Sequence, residues 1–150
     1  MNADYFIKRF HLVPHAEGGY YCRTHLNDDG SFSSILFLLT RENFSAFHKI
    51  QAEEQWNWFY GDDIIVHEIN ENGDYKTTLL SGWTGNENFQ YVVKGGHWFA
   101  SECSGENGFA LCGCTVIPAF RPEDFTLGKR EELIQISPQH KTLITKLTRI

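Results

Sequence analysis

Residues 44–63 read FSAFHKIQAEEQWNWFYGDD, and the alternation within this stretch decides the fold. FSAFHKI is a short apolar strand, QAE turns the chain, and EQWNWFYG is a second strand that Gly61 and Asp62-Asp63 bring to an end. With a period of two, Glu54, Trp56, Trp58 and Tyr60 share one face of that strand, and Gln55, Asn57 and Phe59 share the other. One face looks into the interior. A carboxylate between tryptophans is partly desolvated there, which raises its pKa and suits it to hold or pass a proton. The alternative for Glu54 is a structural bond to a neighbouring strand's backbone, to Arg23 or to Lys49; for His48 it is the place of a satisfied core histidine.

Outward from this stretch the chain is strands and turns. Upstream, Asn2 caps a short helix, ADYFIKRF, whose Tyr5, Phe6, Ile7 and Phe10 cluster on one side. PHAEGGYYCRTHL follows, its paired glycines breaking any helix before an aromatic strand. NDDG then turns the chain into SFSSILFLLT. Downstream, DIIVHEI and YKTTLLS flank NENGD, with Asn72-Gly73 as the tight turn. FQYVV, HWFASE and FALCGCTVI come next, separated by Lys94-Gly95-Gly96 and by SGENG. Short strands at this spacing, with 13 glycines in the chain, predict an antiparallel sandwich or barrel. Ser137 as cap and Pro138 at the first position open a closing helix, PQHKTLITKLTRI, whose Leu143, Ile144, Leu147 and Ile150 form a stripe that docks on the barrel.

Composition narrows the function classes. A chain of 150 residues with 41% hydrophobic content supports one core, and the expectation is a single domain over residues 1–150. A net charge of -6 leaves no basic patch to neutralise phosphates, so nucleic acid is not an expected partner. No apolar run reaches the roughly 18 residues of a membrane span, and MNADYFIKRFHL lacks a signal-peptide core, so a cytoplasmic protein without a membrane partner is expected. Cys22, Cys103, Cys112 and Cys114 then read as reduced thiols. Cys112 and Cys114 face one way on a strand, and a C-x-C without a second pair reads as small buried hydrophobes before it reads as zinc ligands.

The order His48, Glu54, Gly61, followed by GNENFQYVVKGGHWFASE, resembles the two short motifs of the cupin superfamily. The first motif places a His-x-His pair ahead of a glutamate and a glycine after six further residues, the spacing of Glu54 to Gly61. The similarity extends over almost the whole chain to a branch of single-domain cupins, through VPHAEGGYYCRT, FHKIQAEEQWNWFYGD, FQYVVKGGHWFAS and CTVIPAFRPEDF. It implies an all-β cupin-type antiparallel double-stranded β-helix, a jelly-roll barrel with short N-terminal and C-terminal helices, related to the sugar-nucleotide epimerases. It also implies a homodimer formed through N-terminal strands.

The chain departs from the metal-binding pattern, in which three histidines and a glutamate surround the ion. Ala46 stands two residues before His48, and aligning Gly96 with the motif glycine puts Phe99 at the third histidine and Lys94 at a usual proline. Asn57 occupies a position where relatives often carry histidine, and the interval from His48 to Glu54 is one residue longer than the usual pattern. No bound metal and no cofactor are expected, with His97 the one route back to a weak site. The expected pocket holds His48, Glu54, Asn57, Gln90 and His97 within an aromatic lining of Trp56, Trp58, Tyr60, Trp98 and Phe99, suited to a sugar, a nucleotide or another small molecule. By resemblance to the epimerases, His48 is the base and Tyr60 or Glu54 the acid or proton store. Three readings stay open: a metal-free pocket for a small polar ligand with isomerase, epimerase or lyase chemistry, a non-catalytic binding or storage protein, and a metal-dependent enzyme. In the leader, Glu17 is expected to pair with Arg23, and His15 and Arg23 to stand at the pocket rim or at an interface.

Overall fold

The computed structural model describes residues 1–82 and 88–150; the opening residues 85–87 of the second motif lie outside the described residues. Period-two strands bury one face each, and the only way to dry so many inner faces at once is to lay two sheets against each other. The first sheet contains β1 (Val13–Pro14), β2 (Tyr20–Leu26), β3 (Ser33–Thr40), β5 (Glu53–Gly61), β8 (Gln90–Val93) and β10 (Phe109–Ile117), in the order β1-β2-β3-β10-β5-β8. The second contains β4 (Ser45–Lys49), β6 (Asp63–Ile69), β7 (Tyr75–Leu80), β9 (Trp98–Ser104) and β11 (Thr126–Leu127), in the order β11-β4-β9-β6-β7. All pairings are antiparallel, and the crossovers that place β10 between β3 and β5 and β9 between β4 and β6 make the jelly roll.

The core sits between the sheets. Phe37 and Leu39 of β3, Trp56 of β5, Ile64 and Val66 of β6, Phe99 of β9, and Ala110, Cys112 and Cys114 of β10 fill it. The outer faces are covered by helices. Helix α1 (Ala3–Phe10), capped by the Asn2 side chain, lays Phe6 on Leu38, Phe109 and Leu111. Helices α2 (Arg130–Ile136) and α3 (Lys141–Lys146) place Leu133, Ile144 and Leu147 on Phe47, Ile69 and Ala100.

The C-terminal region differs from its sequence reading. REELIQI forms α2, which is too short for a visible apolar period and has Leu133 as its one buried anchor; docking, not propensity, holds it. Ser137 caps no helix, because its hydroxyl donates to the Gly73 carbonyl at 2.9 Å, and residues 138–140 form a 3-10 turn before α3. Ile150 leaves the stripe and is fully exposed.

Two local features position the site. The turn between β4 and β5 absorbs the extra residue between His48 and Glu54, and Gly95 lets the 94–97 loop close over it, since a Cβ there would collide with the Gln51 carbonyl. On β5, Tyr60 pairs with Leu111 and Trp58 with Cys112, which leaves Phe59 as a bulge. Past a bulge the parity reverses, so Tyr60 does not follow Glu54 and Trp56 inward; its ring lies on the outer face, 5.4 Å from that of Phe6.

Truncation of Leu147, wholly buried beneath the C-terminal helices, tests their docking. Leu147→Ala is expected to lower unfolding stability by roughly 2–5 kcal/mol in chemical denaturation; an unchanged midpoint would show that the helices do not hold the sheet.

Candidate functional site

A cavity of about 480 Å³ opens among the leader, the first turns of β2 and β3, the β4–β5 corner and the segment before β11. His48 and Glu54 both line it, buried to 2% and 8% exposure. Beside them stands Glu17, which the sequence reading had directed toward Arg23; it turns inward instead.

The leader delivers Glu17 by force of its glycines. Gly18 and Gly19 take φ of 108° and 74°, and a Cβ on Gly18 would collide with the Phe44 carbonyl. The resulting close approach is fastened from three sides. The Ala46 amide donates to the Glu17 carbonyl at 2.8 Å, and Arg149 Nη1 donates to the same oxygen at 2.6 Å. Arg149 Nη2 also donates to the Phe44 carbonyl at 2.8 Å, with its guanidinium 4.1 Å from the Phe44 ring centroid.

So held, the Glu17 carboxyl accepts from the Ser45 hydroxyl at 2.9 Å on one oxygen and lies 3.0 Å from His48 Nε2 on the other. His48 Nδ1 is 2.7 Å from the Ala46 carbonyl, an acceptor only, so Nδ1 carries a hydrogen. The Glu17–His48 contact therefore contains one proton shared by two groups. Burial pushes Glu17 up and His48 down, and both shifts favour the neutral pair, a carboxylic acid donating to an imidazole. The rings of Phe99 and Phe125, at 4.0 and 5.5 Å, fix the imidazole plane.

Glu54 completes the group. Burial, reinforced by the nearby Glu17, raises its pKa from 4.5 to about 7, against the opposing pull of His48 and a hydrogen bond with Cys114. The Cys114 thiol is itself pushed well up by burial and by Cys112, so it stays protonated. The Glu17 amide donates to His15 Nδ1 at 3.2 Å, which leaves Nε2–H as the donor of that ring, and burial lowers the His15 pKa. The inner end of the cavity thus holds a carboxyl whose pKa burial raises to about 7, beside groups that burial pushes toward their uncharged forms.

The other expected pocket residues stand elsewhere. Trp56 is in the core, edge-on to Phe37 at 5.8 Å. Trp58 donates its indole N–H to the Asp62 carbonyl at 2.9 Å and borders a separate, shallower depression with Asn57 and Gln90, which bond each other at 2.8 Å. Trp98 lies with the outer cluster, under Lys49 at 4.5 Å. Phe99 packs on His48 without lining the cavity. Tyr60 is carried out by the bulge. The aromatic wall is formed instead by Tyr21, Phe120 and Phe125. The signals for these were an acid directly before two glycines, a Tyr-x-Arg alternation in β2 and the phenylalanines of AFRPEDF, each pointing inward only once the strands are paired.

The side chains present do not fit a metal centre of three histidines and a glutamate. Both nitrogens of His48 are engaged, and Ala46 and Phe99 offer no donor. His97 Nδ1 is held by Glu68 at 3.1 Å in a separate network with Tyr91 and Lys76. Among the described residues no group of three or more His, Cys, Asp or Glu is arranged to hold a metal ion.

Comparison with protein families matches residues 4–128 to the cupin superfamily family DUF985. An X-ray structure of a protein from Shewanella oneidensis is 35% identical, with a TM-score of 0.94 over 99% of this chain and 98% of that one. A hypothetical protein from Leishmania major is 30% identical, with a TM-score of 0.92 over the whole of both chains. Oxalate decarboxylase from Bacillus subtilis, 14% identical with a TM-score of 0.62 over 89% of this chain and 36% of that one, shares the fold. A search of curated proteins finds no match.

The raised pKa of Glu54 has a measurable consequence. Because the folded state holds its proton up to about pH 7 and the unfolded state releases it near 4.5, this group's contribution to stability is full at low pH and is lost as pH rises across that window. Glu54→Gln cannot ionise, so wild-type stability relative to the variant should fall by roughly 3 kcal/mol between pH 4.5 and pH 8. Parallel melting curves of the two proteins across that range would contradict the placement of Glu54.

Proposed function

Since this chain belongs to the DUF985 family of the cupin superfamily, and since its barrel buries a carboxyl that titrates near neutrality, we propose that it binds a small polar metabolite in the barrel and transfers a proton on it through Glu54, as a metal-free isomerase, epimerase or lyase does. The observation that carries this reading is the buried position of the Glu54 carboxyl on the cavity wall, where desolvation pushes its pKa up to about 7. A general acid–base works best with its pKa near the working pH. The volume of about 480 Å³ lies in the range of small-molecule sites, and Tyr21, Phe120 and Phe125 supply flat apolar contact to a sugar or other ring.

The roles follow from which atoms are free. His48, the base by resemblance, has both ring nitrogens committed, so the proton-abstracting role passes to Glu54 and the Glu17–His48 pair becomes the adjacent proton store. In the ionised form Glu54 takes the proton from a carbon beside a carbonyl. The C–H electron pair moves into that carbonyl, forming an enolate whose oxygen a neutral histidine such as His15 can stabilise by donating its N–H. Return of the proton to the other face gives an epimer, return to the neighbouring carbon gives an isomer, and departure of a β substituent gives a lyase product. The four unpaired cysteines suit the reducing cytoplasm. The edge of β2 beyond Tyr21, paired only with β3 among the described residues, suits a second copy in a homodimer.

Solvent exchange tests the reading. Incubated in D₂O with a pooled set of hydroxy and oxo metabolites, the wild-type protein should introduce deuterium at a carbon beside a carbonyl in at least one compound. Glu54→Gln should slow that exchange by roughly 100-fold or more. Equal exchange by both proteins, or none by the wild type, would contradict it.

A further inference from the structure

We propose that the molecule this cavity accepts carries one carboxylate or phosphate, held at the mouth by Arg23, and presents its uncharged hydroxyl- or carbonyl-bearing end to Glu54. The inference rests on the reading of the cavity given above and adds the chemical class of its ligand.

Arg23 faces the cavity by register. It pairs with Ile35, which pairs with Cys114, and Ile35, Cys114 and Arg23 all line the same space. Its guanidinium is exposed, and among the described residues it makes no ion pair and no hydrogen bond. Four of the other five arginines are bonded, Arg41 to the Gly105 carbonyl, Arg121 to Asp124, Arg130 to Thr148 and Arg149 to Glu17 and Phe44, and the fifth, Arg9, lies over the Phe10 ring away from the cavity. A protein with 19 acidic and 13 basic residues has ample carboxylates to pair an arginine, yet Glu17, the carboxyl of the same leader, is turned away to His48. An unpaired guanidinium on the concave side of a barrel is a receptor for an anion, and its planar fork fits carboxylate and phosphate oxygens alike.

The rest of the cavity sets the orientation. Arg23 is its one permanently charged lining residue; the carboxyls and imidazoles beside it are Glu17, Glu54, His11, His15 and His48. At the buried end, the Glu17–His48 pair is neutral and any charge on Glu54 is negative, so an anion is repelled there, while hydroxyl and carbonyl groups find both donors and acceptors. At the exposed end, His11, whose φ is 53°, also lines the cavity along with Arg23. The gradient runs from cationic mouth to uncharged acid–base interior, within a chain whose net charge is -6.

Imidazole signals of the labelled protein provide the test, titrated with three probes of one shape: benzoate, phenyl phosphate and the neutral benzamide. The wild type should bind one of the two anions about tenfold or more tightly than benzamide, and the favoured anion tells carboxylate from phosphate. Arg23→Gln should erase that preference while leaving benzamide affinity within about twofold, and Arg23→Lys, which keeps charge without the fork, should fall between. The exposed position of Arg23 leaves the fold intact, which the amide spectrum checks. Equal binding of benzamide and both anions, or a preference surviving in Arg23→Gln, overturns the proposal while the cavity reading stands. Failure of all three probes to move His48 or His15 overturns both.

Discussion

The bond between Glu17 and His48 is the constraint around which the rest of this site is arranged. Two ionisable groups lie 3.0 Å apart with almost no access to water and one proton between them. Desolvation penalises the charged form of each, and the neutral pair is the arrangement that satisfies both at least cost. Making that contact requires the leader to fold in against β4, which only Gly18 and Gly19 permit, and it requires a lock, supplied by the Ala46 amide and by Arg149. Glu54 then sits buried beside this pair, and its burial is the main reason its pKa is raised to about 7.

The same contact engages the one histidine of the first cupin motif. The two positions where further imidazoles would stand now serve His48. Ala46 contributes its carbonyl, which fixes the hydrogen on Nδ1, and Phe99 contributes its ring, tilted against the imidazole 4.0 Å away. With Nε2 turned to Glu17, the histidine that a metal cupin would use as a ligand becomes one end of a proton-sharing pair.

Much of this fold was legible in the sequence, because alternation with a period of two is a physical necessity for a strand with one wet and one dry face. The strand pattern, the Asn2 cap, the Asn72-Gly73 turn and the cupin motifs all point to the observed barrel. His48 and Glu54 could be placed together for the same reason. The aromatic lining could not. Alternation assigns Trp56, Trp58 and Tyr60 to one face, but it cannot see the bulge at Phe59 that turns Tyr60 out, nor that Trp56 is packed in the core behind the cavity. Glu17 and Arg23 were noticed as a charge pair along one segment; separating them required knowing which face of the leader meets β4. Helix α2 escaped because seven residues with one buried anchor carry no period to read.

The central claim is that His48 is a neutral imidazole, hydrogen on Nδ1, accepting a proton from Glu17. Nitrogen NMR of selectively labelled histidine at neutral pH measures this directly. The expected result is one protonated nitrogen at Nδ1 and an unprotonated, hydrogen-bonded Nε2 whose shift moves when Glu17 is replaced by glutamine. An imidazolium with both nitrogens protonated, or an Nε2–H tautomer indifferent to Glu17, would contradict it.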